Sequence, residues 1–228
     1  MPNIYGGTFA ISTISLASAF EHFSTKDNYR SKSFDRFLAN RDVIASRIRE
    51  KYQSSVYPGT GFLSGSGLSG QPFDPANGNV NQNSADVLIP AFLSAYTGKK
   101  ASGIALTAFP DLRNILPNWN ITYNAINAFP WLRENFKSLT LYHKYSSQYR
   151  VGSYTSFLNW VSTPEDGDLG YVRDAVSGAP VPSSPYDISS VSLVESFNPL
   201  LEIRSVFYNN MSLNFTYNRT RTLNLNIP

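Results

Sequence analysis

From Met211 to Ile227 the chain alternates without a break. The odd positions are Met211, Leu213, Phe215, Tyr217, Arg219, Arg221, Leu223, Leu225 and Ile227, and every even position is Ser, Asn or Thr. Side chains alternate across a strand, so this pattern predicts one largely apolar face and one wholly small and polar face. Soluble strands usually run about 5–6 residues. A strand that crosses a bilayer needs about 9–11, with lipid on one side and a wet lumen on the other. The segment suits a β-barrel wall better than a soluble sandwich.

The same period recurs upstream. In the stretch 138–160, Leu139, Leu141, Tyr145, Tyr149 and Val151 share one face, and Thr140, Lys144, Ser146, Gln148 and Arg150 share the other. Trp119, Ile121 and Tyr123 alternate with Asn118, Asn120, Thr122 and Asn124. Two further strands are predicted at about 187–197 and 200–208, broken at Asn198-Pro199, with a tight turn at Asn209-Asn210 leading into the last strand. Residues 3–23 also read as strand, with a slip between Ile11 and Ile14 that predicts a bulge. That makes about six strands.

Between them the period changes. Phe34, Phe37, Leu38, Ile44, Ala45 and Ile48 fall on one helical stripe, with Ser33 as the expected N-cap. A second helix is expected over Asp86 to Tyr96, capped by Ser84 and closed by Gly98, with Pro90 either starting or kinking it. Residues 57–83 and 161–186, rich in Gly, Pro, Ser and Asn, read as long loops. Residues 125–137 read as a connector with apolar anchors. The chain thus divides into a strand region at 1–23, a helical and loop insertion at 24–116, and antiparallel barrel strands at 117–228.

Composition agrees with a barrel. Charged residues make up 15% and aromatics 14% of the 228 residues, and there is no cysteine. No apolar run is long enough for a transmembrane helix. A net charge of +3 without a basic cluster gives no nucleic-acid footprint. No signal peptide is visible at the N-terminus, and six lipid-facing strands would leave unpaired edges in hydrocarbon. The expectation is a fragment of a larger barrel. The alternative is a soluble β-rich binding module whose aromatics form a core or a glycan-stacking surface.

No constellation for chemistry emerges. The glycines from Gly59 to Gly67 lack the spacing of a dinucleotide loop. Asp74, Asn77, Asn79, Asn81 and Asn83 lack the bidentate Glu of a calcium loop. His143 lies on an apolar face, and Glu165-Asp166 with Asp168 read as a solvated turn. Catalytic, cofactor and metal residues are therefore all expected to be none. The interesting set is polar: Lys144, Gln148, Arg150, Asn214, Thr216 and Asn218 are candidate lumen-facing residues. Leu139, Leu141, Leu213, Phe215 and Tyr217 are candidate lipid-facing residues. If each strand crosses once, residues 24–116, 161–186 and the Asn209-Asn210 turn share one side, expected to be extracellular, where the insertion would cap the pore.

Several segments resemble the SprA/Sov family, the outer-membrane translocon of the type IX secretion system of Bacteroidota. They are Leu116-Pro-Asn-Trp-Asn-Ile-Thr-Tyr123, Phe136-Lys-Ser-Leu-Thr-Leu-Tyr-His143-Lys-Tyr145, Tyr149 to Ser156, Phe197-Asn-Pro-Leu200 and Arg219-Thr-Arg221-Thr-Leu223. Upstream, Phe34 to Arg47 and Val87 to Gly98 are similar to its helical insertion. The resemblance implies mainly β structure with a helical insertion, as part of a very large transmembrane antiparallel β-barrel of about 36 strands. It implies a location in the bacterial outer membrane and export of secreted cargo proteins, in some members with a link to gliding motility. The partners it implies are the remainder of the barrel, the lipid bilayer, a PorV-like shuttle barrel and a periplasmic plug protein. It carries over no catalytic residue.

Overall fold

The computed structural model describes residues 5–22, 25–111, 116–164 and 168–227. The chain is mainly β with a helical insertion. Its elements are β1 (Gly6–Ser12), α1 (Leu16–Ala19), α2 (Lys32–Gln53), α3 (Ala85–Thr97), β2 (Trp119–Asn124), α4 (Pro130–Asn135) and β3 (Phe136–Ser156). Then come β4 (Val161–Ser162), β5 (Gly170–Arg173), β6 (Pro180–Ser183), β7 (Tyr186–Ile188), β8 (Ser190–Phe207) and β9 (Ser212–Asn226).

The main sheet is antiparallel and is best described as four long staves. β1 and β2 both pair with β3, β1 along its upper part (Ser12 opposite Gln148) and β2 along its lower part (Trp119 opposite Tyr145). They form one stave interrupted at mid-height, and residues 13–118 leave the sheet through that gap. The Thr13 amide still donates to the Ser147 carbonyl (3.0 Å), and the Asn118 side chain accepts from the Ser147 amide (3.0 Å), so β3 loses no bond at the break. β3 is the second stave, β7 with β8 the third and β9 the fourth.

Residues 190–207 are one strand, where two were expected. Opposite Asn198-Pro199 the register shifts, so that residues 198–201 of β8 face only residues 143–144 of β3. Proline cannot donate to a ladder, and the bulge takes it out of the pairing without ending the strand. His143 Nδ1 donates to the Leu200 carbonyl at 2.7 Å, a carbonyl that the bulge frees from the ladder. The bulge adds an even number of residues, so Phe197, Leu201 and Ile203 stay on one face.

The insertion is a packed body. α2 buries Phe37, Ile44, Ala45, Ile48 and Tyr52, while Phe34 and Leu38 of the expected stripe remain exposed. Its N-cap is Ser31, not Ser33: Ser31 Oγ accepts from the Phe34 amide at 3.1 Å, and Ser33 is buried within the first turn. α3 is buried nearly all round and runs through Pro90, which neither starts nor ends it. Gly98 closes it at φ 77°, a conformation that glycine adopts without a Cβ penalty.

Three expectations are corrected. Among the described residues of 1–23, strand covers Gly6–Ser12 and ends at the slip where a bulge was expected; its register shift lies earlier, between Gly7 and Phe9, and α1 follows at Leu16–Ala19. The 57–83 segment is no bare loop, because Tyr57, Leu63, Phe73 and Val80 enter the main core. The 161–186 segment carries a small antiparallel sheet, β4-β5-β6. Its Tyr171 packs against Tyr52, Tyr57 and Phe73 with ring centroids 5.1–6.4 Å apart. Large aromatic surfaces among Gly, Pro and Ser supply the burial that stabilises these irregular segments.

Candidate functional site

Cross-strand partners share a face, so the register assigns every side chain of the staves. One face carries Val151, Tyr149, Ser147, Tyr145, His143, Leu141 and Leu139 of β3. Beside them lie Val191, Leu193, Glu195, Phe197 and Ile203 of β8, and Leu225, Leu223, Arg221, Arg219, Tyr217, Phe215 and Leu213 of β9. Its upper half is covered. Tyr149, Val151, Val191 and Leu193 join one core with the helices, and each is almost fully buried. The expected single apolar stripe on β3 is therefore two surfaces: Tyr145, Tyr149 and Val151 pack inside the protein, and only Leu139 and Leu141 belong to the open part.

The lower half of this face is bare. Ile121, Tyr123, Leu201, Leu213, Phe215 and Tyr217, on three of the four staves, are 38–53% exposed there. All five candidate lipid-facing residues, Leu139, Leu141, Leu213, Phe215 and Tyr217, lie in this patch. Aromatics border it below, where Phe136 meets Phe207 (4.5 Å) and Trp131 (6.4 Å), with Phe129 exposed beside them. Above, Trp119 stacks on Tyr145 at 4.3 Å, and Phe197 lies 5.0 Å from Tyr145 and 5.3 Å from Phe20.

The opposite face is mainly polar, with Tyr142, Val194 and Val206 set among its polar residues. Lys144, Gln148, Arg150, Asn214, Thr216 and Asn218 all lie on it, with Asn120, Thr122, Thr140, Ser146, Ser196 and Thr220. Arg204 pairs with Glu202 at 2.5 Å and stacks over the Tyr142 ring at 4.6 Å. Gln148 accepts from Arg150 at 2.6 Å. Short hydroxyl and amide side chains make this a hydrated, weakly adhesive surface.

A polar group missed in the sequence joins insertion to sheet. Glu195, 2% exposed, accepts from Ser15 (2.7 Å) and Tyr145 (3.0 Å) and pairs with Arg221 at 2.9 Å. Arg221 also donates to the Ser18 carbonyl at 2.6 Å, and Ser18 donates to the Tyr96 carbonyl at 2.8 Å. The one legible signal was Arg219 and Arg221 on an otherwise apolar face.

Other candidates have local roles. Asp74 caps a turn through the Ala76 amide (2.9 Å), Asn79 accepts from Val80 (2.8 Å), and Asn81 accepts from the Asn83 amide (2.9 Å). Glu165 and Asp166 lie outside the described residues. A cavity of ≈ 200 Å³ between α2, α3 and the 168–184 segment is lined by Lys51, Tyr52, Asp86 and Asp168 among others. Burial raises the Asp86 carboxyl above its usual range, against an opposing bond from the Ser184 amide at 2.9 Å. Among the described residues no helix is long and apolar enough to cross a membrane. The chain matches no protein-family model and no characterised protein sequence.

Proposed function

We propose that this chain is a section of the wall of a much larger transmembrane β-barrel in a bacterial outer membrane, and that the barrel is the protein-export channel of a type IX secretion system. The observation that carries the wall is the split face. Its upper half is packed under the insertion, its lower half is a bare apolar band between aromatic rows, and the reverse face is mainly polar. The eight steps from Met211 to Arg219 span ~27 Å along the strand at about 3.4 Å per residue. At a barrel tilt of roughly 35–45° that is ~19–22 Å of height, close to the apolar band of about 25 Å in outer-membrane barrels.

Two open edges support a larger assembly. β9 pairs only with β8, and the β1/β2 stave only with β3, among the described residues. In hydrocarbon each unsatisfied backbone group costs several kcal/mol, so further strands would have to flank both edges. Leu139, Leu141, Leu213, Phe215 and Tyr217 would contact lipid. Lys144, Gln148, Arg150, Asn214, Thr216 and Asn218 would line a hydrated lumen fit for passage of polypeptide. Export, the link to gliding, the PorV-like shuttle and the periplasmic plug rest on the resemblance to the SprA/Sov family.

Single cysteines placed from 213 to 218 in the full-length protein test both levels. Labelling of intact membranes by an impermeant thiol reagent is expected at 214, 216 and 218 and not at 213, 215 and 217. With a secretion substrate arrested in transit, the even positions should also cross-link to cargo. Equal labelling of both parities removes the wall reading and favours the soluble module. Alternating labels without cargo cross-links keep the wall and remove the export channel.

A further inference from the structure

We propose that the rim where the insertion meets the bare apolar rows binds the phosphate of an anionic membrane lipid, whose acyl chains lie down the band below. This rests on the wall reading above. The rim is at the level of α1. Phe197 and Arg219 face each other in the register, and the next open pair below is Leu201 with Tyr217, both exposed. The insertion therefore overhangs the apolar band on the same side as the band. It packs on this face and not on the polar one, so in the wall reading it would stand beside the lumen and not over it.

The chemistry of the overhang is cationic. Arg219 is half-buried and holds its guanidinium over the Phe20 ring at 4.9 Å. Among the described residues it has no hydrogen-bond acceptor, unlike Arg221 two positions on, which has four. Phe20 is 55% exposed and forms the wall of an open groove of ≈ 370 Å³, with Leu16, His22, Lys32 and Arg36 around it. The single acid in the groove, Glu21, is already engaged. Burial opposes its charge, but bonds from Ser33, Ser31 and the Lys32 backbone outweigh that and hold its carboxyl below the ordinary range. Asp35 nearby is paired with Arg30 at 2.6 Å.

An amphiphile fits this arrangement because Phe20, which walls the groove, also packs on Phe197 and lies under the Arg219 guanidinium at the top of the band. Guanidinium groups bind phosphate through paired N–H donors, and Arg219 is oriented by Phe20 with its donors free. A soluble anion would use the cations alone. A lipid would use the cations and Leu201, Tyr217 and Phe215 together.

The test uses the full-length protein in vesicles of phosphatidylcholine with a minor fraction of lipid A, followed by native mass spectrometry of retained lipid. Retention of lipid A over phosphatidylcholine is expected. Arg219→Gln with Arg36→Gln should lower that preference by roughly fivefold per charge removed. Arg219→Lys should restore part of it, and Arg49→Gln, farther along α2, should leave it unchanged. Equal retention by the double variant overturns the proposal. Complete displacement by inorganic phosphate at matched concentration also overturns it, in favour of a free-anion site. Protein that inserts in these vesicles but retains lipid A without preference over phosphatidylcholine defeats this inference alone. Protein that does not insert at all defeats the wall reading.

Discussion

The Glu195 carboxylate and the Arg221 guanidinium meet at 2.9 Å on neighbouring staves, directly beneath α1. Both lie on the face that would otherwise be apolar. The pair gives the insertion a polar anchor, because Arg221 also holds the carbonyls of Ser15 and Ser18 and Glu195 takes the Ser15 hydroxyl. The insertion leaves the sheet at mid-strand through the short segment 13–15, so this network fixes the angle at which it leaves.

Breaking that pair should loosen α1 before anything else. Removing one partner of a buried ion pair costs about 3–5 kcal/mol, and Arg221 keeps some contact with water, so the lower end is expected. Either Glu195→Leu or Arg221→Leu should then speed hydrogen exchange at Leu16–Ala19 by about a hundredfold. The double variant should recover part of the loss, since no charge is left buried alone. Effects of the two substitutions that simply add would show that the pair is not coupled.

The two faces of β9 should tolerate charge differently. Leu213→Arg would put a cation in the bare band, at a cost of up to roughly 2–4 kcal/mol near a bilayer midplane. Asn214→Arg would add a charge to a face that already holds Arg204 directly across from it. The first should reduce the amount of assembled, heat-modifiable barrel in the outer membrane, and the second should leave it near wild type. Equal loss from both substitutions would contradict the assignment of faces.

How much of this was legible follows from the kind of signal. Strict alternation over Met211 to Ile227 marked β9 along its length, since a period of two has no other common cause. The two faces of β3 were also readable by parity. What parity could not tell was which apolar residues were open. Leu141 and Tyr149 lie on one face and read alike, yet Tyr149 is sealed under the insertion, because that depends on a fold-back of residues 13–118. Asn198-Pro199 read as a break because proline and asparagine punctuate turns far more often than they sit in a bulge. Glu195 looked like an ordinary strand residue, and only its cross-strand partner in the register, Arg221, gives it a role.

The 168–184 segment should be held to α3 more firmly at low pH. The Asp86 carboxyl is raised by burial above its unfolded value of about 3.9. Below that value it is protonated in both states and contributes nothing. As pH rises from the unfolded value toward the raised folded one, the unfolded state ionises first and stability falls, levelling off once the folded state also carries the buried charge. Asp86→Asn keeps an oxygen for the Ser184 amide and removes the charge. Limited proteolysis of this segment should find the wild type better protected below about pH 4 than at about pH 8, and the variant protected at both. Protection that rises with pH in the wild type would overturn this account.

The staves also fix which connections share an end. β2 and β8 run down and β3 and β9 run up, so the connector 125–135 and the turn at Asn209-Asn210 meet at the bottom. There Lys137 donates to the Asn210 side chain, and the Tyr208 amide donates to the Asn135 carbonyl at 3.4 Å. The 157–189 segment lies at the top, packed on the insertion. This corrects the expectation that the Asn209-Asn210 turn lies with the insertion, which rested on counting residues 190–207 as two crossings. The two short connections are now at one end and the long 157–189 connection at the other, with the insertion leaving at mid-stave, and bacterial barrels likewise keep short turns on the periplasmic side and longer loops on the extracellular side. An epitope at Gly67, in the insertion and with open space around its Cα, should therefore be reached by antibody on intact cells. One placed between Asn209 and Asn210 should be reached only after permeabilisation. The reverse pattern would invert the chain in the membrane, and labelling of both in intact cells would be incompatible with a membrane-spanning lower half.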